Sequence, residues 1–275
     1  MTDTKPVLIL GGTGKAGRRL AERLTSQGIP VRIGSRSGSP RFDWEVPATW
    51  EPAMQGVGAV YISYYPDIAV PGAAETVGAF ARLAVANGVT RMVLLSGRGE
   101  TEAQRAEEMV KASGADWTIL RCAWFSQNFS EGFLVESLRQ GEVALPVGPV
   151  GEPFVDVDDI ADAAFVALTE PGHVGQLYEL TGPRLLSFAD AVAEIAKATG
   201  RDIRYIKISH DEFTAATAAY ELPPEIAWLL NELFTEVLDG RNETLTDGVQ
   251  RVLGRAPKDF SAYANETAAT GIWSN

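Results

Sequence analysis

Short apolar runs alternate along this chain with longer stretches in which apolar residues return every three or four positions. Residues 5–10 form one such run and predict a buried strand. Residues 15–27 follow with Leu20 and Leu24 on one helical face and Gly28 as the stop. Val31–Gly34 predicts a second strand, residues 41–44 a short third and residues 59–63 a fourth. A helix over 72–87 runs to Gly88, a fifth strand covers 91–96, a helix over 101–113 stops at Gly114, and 117–121 is a sixth strand. Strands this short and this apolar, each followed by a helix, imply a parallel sheet covered on both faces. With right-handed crossovers the fold class is α/β, a Rossmann-type doubly wound sheet.

Beyond residue 125 the rhythm changes. A helix over 127–139 leads into GEVALPVGPVGEPF, whose Gly and Pro content predicts a loop. A helix follows in DVDDIADAAFVAL, with Asp158 or Asp159 at its start. Ser187 and Asp190 form a capping-box pattern before Val192 and Ile195, and Ile226, Leu230, Leu233 and Val237 share a helical face. These later elements do not extend the alternation. The expected organisation is a dinucleotide-binding domain over 1–130, with 156–169 packed on it, and a smaller, mainly helical substrate lobe over 131–275.

The turn after the first strand reads GGTGKAG. Gly11, Gly14 and Gly17 make a G-x-x-G-x-x-G spacing between a strand and a helix. Such a turn aims the first helical N–H groups and the positive end of the helix dipole at an anion, typically a pyrophosphate. A side chain at Gly11 or Gly14 would hold the ligand away, and Gly17 would allow close helix packing. Sites selective for NAD carry an acidic residue about 20 residues further on, at the end of the second strand. Here no Asp or Glu occurs between Glu22 and Asp43, and Ser35 and Arg36 stand in that place. A guanidinium fork suits a phosphate, so the chain is expected to prefer NADP(H) over NAD(H), with Lys15 as a second cation.

Composition narrows the partners. Among 275 residues there are 24 basic and 36 acidic side chains, a formal charge of −12, which disfavours a phosphate-backbone partner. No apolar stretch approaches the roughly 20 residues of a membrane-spanning helix, and MTDTKP leads directly into the first strand, so a cytoplasmic location is expected. Cys122 is the single cysteine, best read as a small buried hydrophobe. The two histidines, His173 and His210, lie far apart, and no cluster has metal-site spacing. The expected partner is a small-molecule substrate, with neither nucleic acid nor membrane, on a monomer or homodimer.

Short-chain dehydrogenases usually take their acid from a Tyr-x-x-x-Lys pair. None of tyrosines 61, 64, 65, 178, 205, 220 and 263 has Lys four positions on, and TEAQRAEEMVKASG contains no tyrosine. GGTGKAG, the Ser-Arg pair, GVTRMVLLSG, EEMVKASGADWTILRCAWFSQNF and FVDVDDIADAA together resemble the NmrA-like atypical short-chain dehydrogenases, over nearly the whole chain. The pattern S-G-x-x-x-T-x-L-R-x-x-x-F-x-x-N from Ser113 to Asn128 is the most specific part. That family includes quinone reductases, triphenylmethane dye reductases, festuclavine and agroclavine synthases, and redox-sensing regulators. Its members commonly lack the Tyr-x-x-x-Lys pair.

The resemblance implies that Gly11, Gly12, Thr13, Gly14, Lys15 and Ala16 hold the pyrophosphate and Ser35 and Arg36 the 2′-phosphate. It implies Asp43 and Trp44 near adenine, and Ser63, Tyr64 and Tyr65 after the fourth strand. Ser96, Gly97 and Arg98 would follow the fifth strand, and Cys122 and Ala123 the sixth, beside the nicotinamide. Trp124, Phe125, Asn128 and Tyr65 would meet the substrate between the lobes. Ser96 would orient substrate or nicotinamide without acting alone as an acid. The activity implied is NADPH-dependent reduction of a small conjugated or cationic organic molecule such as a quinone, iminium ion or dye. The alternative is an NADP-binding redox sensor with little or no turnover. A nucleotide-sugar epimerase would need the proton relay that is missing.

Overall fold

The computed structural model describes residues 5–219 and 223–274. In chain order its principal elements are β1 (Val7–Leu10), α1 (Lys15–Ser26), β2 (Val31–Gly34), α2 (Trp50–Met54), β3 (Ala59–Ile62), α3 (Ala73–Ala86), β4 (Arg91–Gly97), α4 (Thr101–Lys111) and β5 (Asp116–Cys122). They continue with α5 (Leu134–Gln140), β6 (Glu142–Leu145), α6 (Val157–Thr169), β7 (Gln176–Leu180), α7 (Phe188–Thr199), β8 (Arg204–Lys207), α8 (His210–Ala219), α9 (Pro224–Glu232), α10 (Gly248–Leu253) and α11 (Phe260–Ala269). The chain divides into two compact units. One comprises Met1–Cys122, Asp158–Glu179 and Gly248–Arg255, the other Ala123–Val157, Leu180–Asp247 and Ala256–Asn275.

The first unit is built on a six-stranded sheet of order β2-β1-β3-β4-β5-β7. β1 pairs in parallel with both β2 and β3, and β4 with both β3 and β5. The chain leaves β2 and re-enters on the other side of β1, so the strand order reverses between β1 and β3. Ligands of open α/β sheets bind outside the strand ends at such a reversal. Leu8, Leu10, Val60, Ile62, Met92 and Leu94 pack in one cluster with Phe80 and Ala84 of α3 and Val110 of α4. Burying a large apolar side chain contributes about 1.5–3 kcal/mol, which explains why strands only four residues long are stable here.

Two features of this unit correct the sequence reading. Residues 41–44 form no strand. The Asp43 carboxylate accepts from the Glu45 N–H at 3.2 Å, its carbonyl accepts from Trp50 Nε1 at 2.8 Å, and the Phe42 N–H donates to Ser35 O at 2.9 Å. Local partners satisfy the backbone that a neighbouring strand would otherwise serve. The later chain also extends the alternation, contrary to expectation, because α6 is followed by β7, which joins the sheet beside β5.

The second unit holds an aromatic core. Phe129, Phe154, Phe188 and Phe260 are fully buried or nearly so and pack ring to ring at centroid distances of 5.2–5.7 Å. Trp273 donates Nε1–H to Phe129 O at 2.8 Å. The stretch read as a loop contains β6, which pairs in parallel with β8. Its alternation is clear in place, Val143 and Leu145 inward and Glu142 and Ala144 outward, but four residues flanked by Gly and Pro are too few to show a period in sequence. The helix expected over 127–139 is broken into a 3-10 turn, Ser126–Phe129, and α5. Gln127 explains the break: its amide donates to Asp156 Oδ1 at 3.0 Å and accepts from the Val157 N–H at 2.8 Å. The capping box at Ser187 and Asp190 is present, with both reciprocal hydrogen bonds. After α9 comes a π-turn, Leu233–Val237, in which Phe234 and Val237 are buried; Phe234 is four positions beyond the buried Leu230 and joins the same face.

Candidate functional site: a glycine turn, an unpaired arginine and a buried serine

The glycine turn joins β1 to α1, and its three spaced glycines are required for different reasons. Gly11 has φ +75°, and a Cβ there would lie 2.9 Å from the Ser63 Cβ at the end of β3. Both the left-handed backbone and the neighbouring strand end demand glycine. At Gly17 a Cβ would lie 2.3 Å from Gly11 O and 2.9 Å from the Gly12 Cα. Gly17 therefore lets the helix close on the turn itself, a tighter contact than helix-on-sheet packing. Gly12 packs under Ile33, whose Cδ1 would sit 2.6 Å from an added Cβ.

Gly14 differs. Its φ is −77°, open to any residue, and an added Cβ would meet only Gly11 O, at 3.2 Å. It stands at the N-cap of the 12-residue α1, where no side chain caps the helix and no acidic residue occupies the first turn. Helix N-termini are ordinarily satisfied by a capping side chain. A glycine that keeps the space clear, at an uncapped N-terminus, fits an anionic ligand approaching the backbone. Thr13 is exposed beside it and Ala16 is buried beneath it. Lys15 opens α1 and draws on Asp67, whose carboxyl burial lifts above its ordinary range despite that attraction.

Ser35 and Arg36 follow β2. Ser35 uses its carbonyl to hold the Gly38 and Phe42 N–H groups at 3.0 and 2.9 Å. Arg36 is exposed and, among the described residues, makes no hydrogen bond or ion pair; its guanidinium carbon lies 5.4 Å from the centroid of the Tyr65 ring. Asp43 is nearby but already committed, its Oδ2 accepting from Arg41 at 2.5 Å. Arg41 holds that carboxyl below its usual range, with a smaller contribution from Arg36. Trp44 is half-buried, its ring centroid 4.9 Å from both Phe42 and Tyr64. Tyr64 is lifted above its ordinary pKa by burial, while Tyr65 is 62% exposed. Ser63 is the Gly11 neighbour named above.

At the end of β4, Ser96 is buried at 3% exposure and donates its hydroxyl to Glu107 Oε1 at 2.6 Å. Glu107 is wholly buried on α4 and is gripped by Arg121 of β5, with Nε to Oε1 at 2.9 Å and Nη2 to Oε2 at 2.5 Å. This partner was not anticipated. The available signal was a glutamate in the middle of the apolar positions Ala103, Ala106 and Val110. Gly97 and Cys122 are register partners on β4 and β5. The Cys122 thiol is buried and burial pushes its pKa well up, which leaves it unreactive. Arg98 is buried, with its N–H on Cys122 O at 3.0 Å and Nε on Glu179 Oε1 at 2.5 Å.

The remaining expected residues lie in the second unit. The Ala123 N–H donates to Leu180 O at 3.0 Å and the Trp124 N–H to Glu152 Oε1 at 3.0 Å. Trp124 packs on Phe188 and Phe234 at 5.5 and 5.6 Å, and its buried Nε1–H has no hydrogen-bond partner among the described residues. Phe125 bridges to Val155, and Asn128 is half-buried, its N–H on Phe125 O at 3.0 Å. No group of three or more His, Cys, Asp or Glu among the described residues could hold a metal ion, and no described helix is long and apolar enough to cross a membrane.

Comparison with known proteins identifies the family. Residues 11–171 match a family described as NAD(P)H-binding. The uncharacterized oxidoreductase YesF of Bacillus subtilis is 32% identical over 99% of both chains. Festuclavine synthase II of Penicillium roqueforti is 30% identical over 94% of this chain and 96% of its own. The fold is shared with the NADPH-dependent quinone oxidoreductase QOR2 of Escherichia coli, solved with NADPH. That structure is 23% identical, has a TM-score of 0.79, and the match covers 94% of this chain and 99% of that one. With more than half its length matched, and with relatives that run end to end, this chain belongs to the NAD(P)H-binding family.

Proposed function

We propose that this protein is an NADPH-dependent oxidoreductase that reduces a small conjugated or cationic organic acceptor such as a quinone, an iminium ion or a dye. The observation that carries the reading is the pairing of a cleared, uncapped helix N-terminus at Gly14 with a guanidinium at Arg36 that makes no hydrogen bond or ion pair among the described residues. Pyrophosphate on the first and a 2′-phosphate on the second would satisfy both. Thr13, Gly14, Lys15 and Ala16 would hold the pyrophosphate, Ser35 and Arg36 the added phosphate, and Gly11 with Ser63 the floor between strand ends. The cofactor, when bound, supplies the hydride.

The acceptor class follows from what the chain offers as acid. Ser96 commits its proton to Glu107, so it can present only lone pairs to a ligand. Burial raises both Tyr61 and Tyr64 above the ordinary phenol range, opposite to the lowering that a neighbouring lysine supplies to a catalytic tyrosine. Ketone reduction makes an alkoxide that needs a proton with the hydride, and a positioned acid contributes about 10²–10⁴-fold to such a step. An iminium ion or triarylmethyl cation becomes neutral without one, and a quinone gives a delocalised phenolate that water protonates later. The name of one relative, a festuclavine synthase, and the description of the fold neighbour as a quinone oxidoreductase support this reading.

Single-turnover oxidation of NADPH against a quinone, an iminium ion, a cationic dye and a simple ketone tests the proposal. The first three should outpace the ketone by at least about 10²-fold, with no acid limb in the hydride step. Fast ketone reduction with a clear acid limb would overturn the acceptor assignment. Tight NADPH binding with no oxidation by any acceptor would favour the redox-sensing regulator instead.

A further inference from the structure

Tyr65 is a large aromatic left 62% exposed, one residue from the half-buried Tyr64 and beside the end of β3. Exposure of a phenol ring there has no explanation in packing. The ring faces Arg36, whose guanidinium carbon sits 5.4 Å from its centroid. That distance is within the range in which a cation is attracted to the negative face of an aromatic ring. Among the described residues Arg36 forms no ion pair: Asp43, whose charge it feels, is bound by Arg41 at 2.5 Å and by the Glu45 N–H at 3.2 Å. The arginine thus rests on a ring and, among the described residues, its N–H groups donate no hydrogen bond and form no ion pair.

A salt bridge would fix the same side chain but would have to be broken before a phosphate could bind. A free side chain would have to be ordered on binding, at the entropic cost of a long, rotamer-rich residue. A ring beneath the guanidinium avoids both penalties, because a planar cation can lie on an aromatic face while its edge donates to an anion. We infer that Tyr65 is a specificity-determining residue: its ring pre-positions Arg36 for the 2′-phosphate and so sets the preference for NADPH over NADH. Tyr65 acts through Arg36 on that phosphate alone. The inference rests on the proposed role of Arg36.

The test is a fluorescence titration of NADPH and NADH against Tyr65→Phe, Tyr65→Trp, Tyr65→Leu, Arg36→Ala and the double variant Arg36→Ala/Tyr65→Leu. Because Tyr65 is largely exposed, none of the Tyr65 changes should disturb folding. An exposed cation–π contact is worth about 0.5–1 kcal/mol, so Tyr65→Leu should weaken NADPH by about 2- to 5-fold and leave NADH unchanged. Phe and Trp keep the ring face and should hold the NADPH-to-NADH ratio within about 2-fold of the wild type. In the Arg36→Ala background, Tyr65→Leu should have no further effect on NADPH. A Tyr65→Leu loss that is equal for both cofactors, or that persists without Arg36, would overturn the inference and make Tyr65 an ordinary contact to the shared part of the nucleotide. If Arg36→Ala itself weakens both cofactors equally, the assignment of the 2′-phosphate to Arg36 fails, whatever Tyr65 does.

Discussion

Gly14 and Gly17 lie three residues apart in one motif and answer to different constraints. At Gly17 the protein's own backbone fills the space a side chain would need, with Gly11 O 2.3 Å from an added Cβ. Gly17→Ala must displace the turn and should destabilise the chain by about 1–3 kcal/mol, as an overpacked core site does. At Gly14 the backbone is unstrained and the space nearly open. Gly14→Ala should cost at most about 1 kcal/mol of stability, the difference between these residues at an N-cap. Gly14→Val should leave a folded protein that binds NADPH poorly. Thermal melts paired with NADPH titrations separate the two sites; a Gly14→Val protein that is folded and binds normally would make the motif a turn and nothing more. Ser96 invites a similar dissection. Removing its hydroxyl leaves Glu107 still held by both Arg121 bonds, so Ser96→Ala should fold. Loss of one hydrogen bond on the order of 1 kcal/mol should lower turnover by roughly 10-fold. Abolished activity in a folded Ser96→Ala protein would show that the Ser96–Glu107 pair moves a proton.

Helices in both units are fastened by carboxylates at their N-termini. In the second unit Asp259 caps α11, accepting from the Ser261 N–H at 2.8 Å while Arg184 binds the same carboxyl at 2.8 Å. The Arg184 hydrogen bond holds its pKa well below the usual carboxylate value. A group depressed on folding stabilises the native state fully above its unfolded pKa, near 4, and loses that contribution as the pH falls through the folded value. Asp259→Asn keeps a good cap and removes the charge. It should lower stability by about 1 kcal/mol at neutral pH, given partial exposure of the pair, and flatten the loss of stability below about pH 4. Urea melts between pH 7 and 3 measure both; an unchanged acid slope would show that Asp259 is not the group responsible. In the first unit Asp158, Asp159 and Asp162 of α6 gather Arg23 at 3.0 and 2.6 Å and Arg255 at 2.6 Å. The composition of the α6 segment pointed to Asp158 or Asp159 as its start; that Asp158 and Asp162 bind Arg23 of α1 is a tertiary fact.

For the molecule as a whole, the charge of −12 acts at long range. A negative surface raises the encounter rate of cations and lowers that of anions, and salt removes the effect within a Debye length of about 8–10 Å. Among acceptors of the proposed class, kcat/KM for a cationic dye should fall between 20 and about 300 mM salt, while that for a neutral quinone should stay level. Stopped-flow measurements with the two acceptors on one NADPH-loaded preparation make the comparison. Equal salt dependence for both would place the effect on cofactor binding and remove any role for steering.

The local pattern determined the alternating strands and helices of the first unit, because a parallel sheet buried on both faces writes itself as unbroken apolar runs, and α1, α3 and α4 each end within three residues of a glycine, Gly28, Gly88 and Gly114. It also determined the glycine turn and the absence of an acid after β2, since both are fixed spacings within one βαβ unit. Tertiary structure decided the rest. Residues 41–44 have the composition of a strand but find local hydrogen bonds through Asp43 and Trp50. Residues 142–145 have the composition of a loop but meet β8 some sixty positions away, and no window on the sequence spans that pairing. Glu107 and Ser96 are eleven residues apart, and Arg36 and Tyr65 belong to different strands' ends. The apolar periods that specify a fold come from residues near in sequence, whereas a hydroxyl's partner and a guanidinium's resting place depend on which strands the sheet sets side by side.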